Sequence, residues 1–279
     1  MQVPSTDGVT LAVHDLGGRG DPLLIAHATG FCGQTYRPLA AALSGSFHVW
    51  ALDFRGHGDS TSPLNRDFSW DAMGNDALAA INAVAEGPLV AIGHSMGGAA
   101  LLLAELARPG ALFCTYLYEP IILLSPSAGS RPEQENPLAA AARRRRATFP
   151  SKAEALLRYA SRTPLGALRA DALAAYVMHG FADQPDDTAV LKCAPEDEAD
   201  TFASEGKMTV DVVRDLSLPT TVAVGRPSDS TDPASFGPAI VAAMPGARLV
   251  EHRHLGHFGP LQDPDLVADD IIAAVWRAS

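Results

Sequence analysis

The chain has 279 residues, 47% of them hydrophobic, enough for a sizeable core and for one domain with an insertion or two domains. Its 21 basic and 32 acidic residues leave a net charge of −11, which speaks against nonspecific nucleic-acid binding and for solubility. No run is long and apolar enough to suggest a membrane span, and the opening Met1-Gln2-Val3-Pro4-Ser5-Thr6-Asp7 lacks the basic-then-apolar order of a signal peptide.

In chain order, strands are predicted near residues 10–16 and 23–28, the second running into His27-Ala28-Thr29-Gly30-Phe31. A helix near 34–44 and a strand at 47–52 follow, then the turn Asp53-Phe54-Arg55-Gly56-His57-Gly58-Asp59-Ser60. Next come a helix at 71–85, a strand at 89–93, a helix at 96–107 and a strand at 112–118 that delivers Glu119. Residues 120–215 break the rhythm: a Pro/Ser/Gly-rich stretch at 125–137 leads into helical segments with no convincing buried strand. Alternation resumes with a strand at 219–225, a helix at 235–244, a strand at 247–252 and a final helix at 264–277. Such alternation specifies a mainly parallel sheet covered by helices, with reactive residues at the carboxyl ends of the strands. Internal repeats and low-complexity tracts are absent.

Gly93-His94-Ser95-Met96-Gly97 sits between a predicted strand and a predicted helix, so Ser95 occupies a sharp strand-to-helix turn. Flanking glycines allow that turn without Cβ clashes and leave the hydroxyl exposed to a base. A serine is a weak nucleophile by itself and requires such a base. His257, on the Gly-rich loop His254-Leu255-Gly256-His257-Phe258-Gly259-Pro260 after the last strand, is the candidate. His252 still belongs to the strand, and His254 precedes the glycine that frees the loop.

With these residues in order, the chain resembles the α/β-hydrolase superfamily over nearly its whole length. His27-Ala28-Thr29-Gly30 resembles the family's His-Gly oxyanion loop, with Ala28 in place of the customary glycine; Asp53 to Ser60 resembles its D-x-R-G-x-G-x-S turn; and Leu261-Gln262-Asp263-Pro264 resembles the exit into the last helix. The resemblance implies an oxyanion hole made by the N–H of Met96 and one from the first loop, for which Thr29 is chosen and Gly30 is the alternative. It also implies that 120–215 is a helical cap over a core of 1–119 and 216–279.

Two places can supply the acid that orients His257. After the penultimate strand, the usual position falls on Ser228, with Asp229 one step late and Asp232 further on. The rival is Glu119, and the layout resembles zearalenone lactone hydrolases, which use a glutamate after the equivalent strand. A carboxylate ending an apolar strand needs a partner, and an imidazole N–H is one, so Glu119 is preferred over Asp229.

The expected activity is hydrolysis of a small-molecule carboxylic ester or lactone through an acyl-serine. Acyl transfer, carbon–carbon hydrolysis, perhydrolysis or a silent ligand-binding protein are the alternatives. No metal or organic cofactor is implied: His14, His48, His94 and His179 are dispersed, and His94 reads as a packed neighbour of the turn. Cys32, Cys114 and Cys193 lack metal spacing and cannot all pair, so a cytoplasmic protein is expected. Arg143-Arg144-Arg145-Arg146, read as helical, would point four ways, with one or two arginines paired to Glu196-Asp197-Glu198; the alternative is an anion-recognising arginine at the pocket mouth.

Overall fold

The computed structural model describes residues 1–125 and 136–278, so most of the Pro/Ser/Gly-rich stretch at 125–137 lies outside the described residues. From the N-terminus run β1 (Gln2–Pro4), β2 (Thr10–Gly18), β3 (Asp21–Ala26), α1 (Arg37–Leu43), β4 (Phe47–Asp53), α2 (Trp70–Val84), β5 (Leu89–His94), α3 (Met96–Ala107) and β6 (Leu112–Tyr118). The next segment carries α4 (Pro137–Arg143), β7 (Thr148–Phe149), α5 (Lys152–Ala160), α6 (Ala170–Gly180), β8 (Phe181–Asp183), β9 (Ala189–Leu191), α7 (Pro195–Ala203) and α8 (Val210–Val213). The chain closes with β10 (Thr220–Val224), α9 (Gly237–Ala243), β11 (Arg248–Glu251), α10 (Gly259–Gln262) and α11 (Pro264–Ala278).

An eight-stranded sheet has the order β1-β2-β4-β3-β5-β6-β10-β11, with β1 antiparallel to β2, β2 antiparallel to β4 and every later pair parallel. Leu23, Leu24, Ile25 and Ala26 in β3 are all fully buried, because a central parallel strand is covered on both faces. Their alternation divides the core. Leu24 joins Met73, Ile81, Leu101 and Val222 on one face, while Leu23 and Ile25 join Leu39, Leu43, Val267 and Ile271 on the other. This is the α/β-hydrolase architecture expected above.

The departures are local. The edge strand β1 is too short to show periodicity, and α1 starts later than expected because Gly33–Tyr36 forms a tighter 3-10 turn before Pro38. α9 likewise begins at Gly237, after a 3-10 turn whose Ala234 N–H is capped by Asp232 at 3.0 Å. Between β6 and β10 the expectation of no buried strand fails: β7, β9 and β8 form a small antiparallel sheet that buries Phe149, Phe181 and Leu191. Strands of two or three residues leave no alternation to read. The described residues of this segment add no strand to the main sheet, and Met208, Val213 and Leu216 pack into the main core with Val222.

Close packing holds the β5–α3 turn. A Cβ on Gly97 would lie 2.3 Å from the Ala26 carbonyl oxygen and 2.7 Å from that of His27; one on Gly93 would lie 2.4 Å from Gly98 Cα. Backbone cannot yield as a flexible side chain does, so Gly97→Ala is expected to lower stability by about 1–3 kcal/mol. Urea titration followed by circular dichroism measures this, and an unchanged midpoint would contradict it.

Candidate active site

Ser95 and Glu119 directly follow strands, and His257 lies on the loop between β11 and α10. Ser95 follows β5 in a strained backbone conformation (φ 56°, ψ −118°), which leaves α3 to start at Met96. The turn is held by the Ser95 N–H donating to Tyr118 O at 3.0 Å and by the Ser95 carbonyl accepting from Gly98 and Ile121 at 3.1 and 3.2 Å. The structure thereby ties β5 to the end of β6.

Glu119 follows β6, also with positive φ (43°) and with no solvent exposure. Its Oε2 accepts from His257 Nδ1 at 2.6 Å and its Oε1 from the Gly225 N–H at 2.7 Å. Gly225, which ends the strand predicted at 219–225 and from which the usual acid position falls on Ser228, carried no expected role of its own at the site. A Cβ there would lie 2.6 Å from Leu255 O and 3.0 Å from Glu119 Oε1, so glycine alone lets the carboxylate, β10 and the histidine loop meet.

Neither alternative acid is brought to His257 Nδ1. Asp229 is exposed and its Oδ1 accepts from the Thr231 N–H and hydroxyl at 2.7 and 2.6 Å. Asp232 accepts from Ser228 N and Oγ at 3.0 and 2.7 Å and caps the following turn. Among the other histidines of that region, His252 pairs with Asp270 at 3.0 Å, and His254 is exposed.

The His257 loop is positioned by its backbone. Tyr118 Oη donates to Gly256 O at 3.0 Å, and the Gly256 N–H donates to Gln262 Oε1 at 2.7 Å. His94, beside the serine, contributes more than packing. Its Nε2 lies 2.7 Å from His257 O and its Nδ1 2.6 Å from Tyr36 Oη, which in turn accepts from the Ala28 N–H at 3.2 Å. A carbonyl only accepts, so the proton resides on His94 Nε2 and Tyr36 donates to Nδ1. One buried chain of hydrogen bonds therefore ties the first loop, the serine turn and the histidine loop together. Burial, with the neighbouring His257, holds His94 well below the usual histidine range.

Ser95, Met96, Thr29, Gly30 and His257 all line one cavity of about 580 Å³, walled by Phe31, Tyr159, Tyr176 and Phe258. Thr29 Oγ1 lies 3.4 Å from Met96 Sδ. The N–H groups of Thr29 and Gly30 have no protein acceptor among the described residues, and that of Met96, opening α3, has no intrahelical one. The Asp53 to Ser60 turn does not line this cavity. Asp53 accepts from Gly33 N, Asp59 N and His14 Nε2 at 2.6, 2.8 and 2.8 Å, and Arg55 grips Asp76 through two bonds of 2.8 Å. His14, Asp53 and Asp59 are near enough to share an ion, but they are already joined by these bonds and by Lys192 at 2.6 Å from Asp59.

The four arginines do not behave as a helix face. α4 ends at Arg143, which pairs with Glu196 at 3.0 Å, and Arg145 pairs with Glu198. Arg144, Arg145 and Arg146 leave the helix and all line the cavity. The expectation of four diverging side chains fails because the helix stops one residue into the run.

Residues 23–270 match the alpha/beta hydrolase family, and the chain belongs to it. Among its relatives are (E)-2-((N-methylformamido)methylene)succinate hydrolase of Acinetobacter baylyi, 33% identical over 92 residues (33% of this chain, 35% of that protein), and human monoglyceride lipase, 28% identical over 113 residues (39% and 37%). The match thus spans about a third of the length of these curated relatives. The solved structure of E-2-(acetamidomethylene)succinate hydrolase superposes with a TM-score of 0.81 at 20% identity, covering 99% of this chain and 98% of that one. A thermophilic esterase from Thermogutta terrifontis gives 0.72 at 22%, covering 100% and 98%. At such identities the structural likeness speaks for the fold. The names of these relatives are those of a hydrolase and a lipase.

Buried histidines make stability pH-dependent. Burial lowers His27 to about 3, with His57 adding to the effect, and also holds His57 and His94 below the ordinary value. Below about pH 6.5 the unfolded chain binds protons that the folded one refuses, so stability falls as pH drops, by up to about 1.4 kcal/mol per pH unit for each histidine. Urea midpoints are expected to decrease between about pH 7 and about pH 5.5, where most carboxylates stay ionised. A constant midpoint over that window would refute this.

Proposed function

We propose that the chain is a serine hydrolase of carboxylic esters or lactones, with Ser95 as nucleophile, His257 as base and Glu119 as the acid that orients it. The single observation that carries this reading is the 2.6 Å bond from His257 Nδ1 to the buried Glu119 carboxylate, with Ser95 and His257 lining the same cavity. Holding the proton on Nδ1 leaves Nε2 with a lone pair to accept a proton.

In the proposed reaction Ser95 Oγ attacks the carbonyl carbon as His257 Nε2 takes its proton. The tetrahedral oxyanion is held by the N–H groups of Met96 and Thr29, each donor being worth on the order of 3 kcal/mol of barrier. The C–O bond to the leaving alcohol breaks, and the alkoxide takes the proton from His257. Water then adds to the acyl-serine carbonyl, giving His257 a proton that passes to Ser95 Oγ as the acid departs. For a lactone, acid and alcohol leave on one molecule.

Residues 120–215 are read as the cap, which would exclude water from this chemistry. The three cysteines, all buried and unpaired, are in keeping with a reducing compartment such as the cytoplasm. No described helix is long and apolar enough to cross a membrane.

Ser95→Ala is expected to fold normally and to lose ester hydrolysis by several orders of magnitude, measured by pH-stat. Glu119→Gln keeps an acceptor for Gly225 yet cannot stabilise an imidazolium, so kcat should fall by about 10³–10⁴ with little change in KM. Asp229→Asn, on an exposed carboxylate, should change kcat by less than about twofold. An active Glu119→Gln beside a crippled Asp229→Asn would transfer the role.

A further inference from the structure

The cavity wall carries a charge asymmetry that hydrolysis as such does not require. Arg144, Arg145, Arg146, Arg158, Arg162 and Lys207 line it, and among the described residues Glu198 is the only carboxylate in the lining. The chain as a whole is strongly acidic, at −11, so the clustering opposes the average surface.

These cations differ in what already neutralises them. Arg145 is committed: it pairs with Glu198 and donates to Tyr176 Oη at 2.5 Å, which makes it a brace between α6 and α7. Arg146 gives Nε to Thr148 O at 2.7 Å and lies over the Phe149 ring at 4.6 Å, with no carboxylate partner among the described residues. Lys207 donates to the carbonyl oxygens of Phe202 and Ser204 at 3.1 and 2.6 Å, again without a carboxylate among the described residues. Arg144, Arg158 and Arg162 have neither an ion-pair partner nor a side-chain hydrogen bond among the described residues.

Among the described residues, five positive charges without a counter-carboxylate thus border one concave, mostly aromatic and aliphatic space. A cleft lined by one sign of charge concentrates ligands of the other. Guanidinium groups bind carboxylates through paired N–H donors, and such pairs gain strength where water is displaced.

We infer that the substrate is an ester carrying a second, ionised carboxylate: an apolar segment joins the scissile carbonyl at Ser95 to an acid group received by Arg144, Arg158 and Arg162. This rests on the reading of Ser95 as nucleophile. The arginine side of the pocket then selects the substrate, and the neutral wall of Phe31, Tyr176 and Phe258 accepts its carbon chain.

Monoethyl adipate and ethyl hexanoate share a scissile ethyl ester and chain length and differ in the terminal carboxylate. With the full chain in pH-stat assays at low ionic strength, kcat/KM for the half-ester should exceed that for the neutral ester by about tenfold or more, and salt should erode the difference. Arg158→Gln with Arg162→Gln, both at exposed positions, should remove most of that preference, with kcat/KM for monoethyl adipate falling by about tenfold toward that for ethyl hexanoate. Equal or faster hydrolysis of the neutral ester, or a double variant that slows both substrates alike, would overturn the inference and leave ester hydrolysis standing. If neither ester turns over, calorimetry decides separately. Saturable, salt-sensitive binding of adipate that the double variant loses would support the anion site and count against the ester reading, whereas no binding would reject the site.

Discussion

A carboxylate with no solvent exposure at the end of a central strand is stable only if donors meet it, and Glu119 is met by two. The His257 imidazole and the Gly225 amide arrive from different elements, one from the loop after β11 and the other from the end of β10. An unpaired buried charge would cost several kcal/mol or force the group to take up a proton. Satisfying it requires β6, β10 and the histidine loop to converge on one point. The fold around the cavity can be understood as what that convergence demands.

Convergence at hydrogen-bond distance leaves no room for side chains on the backbone between. At Gly225 an added Cβ would collide with Leu255 O, and at Gly97 with the carbonyls of Ala26 and His27. At Gly30, whose φ is +80°, it would meet Glu198 Oε1 at 2.6 Å. Glycines at these points serve approach, since they let chain segments close around a small reactive volume. The strained backbones of Ser95 and Glu119 fit the same picture: neither continues its strand, and each turns its side chain away from the ladder.

Around this centre lie two kinds of polar organisation. The Ala28–Tyr36–His94–His257 chain is buried and fully partnered, so it fixes the loops relative to one another. Arg144, Arg158 and Arg162 line the cavity with no ion-pair partner among the described residues, so their charge remains available to a ligand. Rigid positioning on the sheet side and available charge on the opposite side suit a site that holds a reacting carbonyl still while recognising a distant group.

The sequence by itself determined the alternation of strands and helices, the strand-to-helix turn around Ser95 and the late loop carrying His257, because these follow from hydrophobic periodicity and from glycines a few residues apart. Local reading failed where elements were too short for periodicity, as in β7, β8 and β9, and where a helix stopped early, which turned Arg144 to Arg146 from a diverging helical run into one wall of the cavity. It left the partner of His257 open between Glu119 and Asp229, since both follow strands. Tyr36 carried no signal: its hydroxyl matters only because folding brings it to His94, 58 residues away. Tertiary structure alone decided which carboxylate meets the imidazole. The pairing of β6 with β10 spans about a hundred residues, and the burial that makes Glu119 need a donor exists only once that sheet has formed.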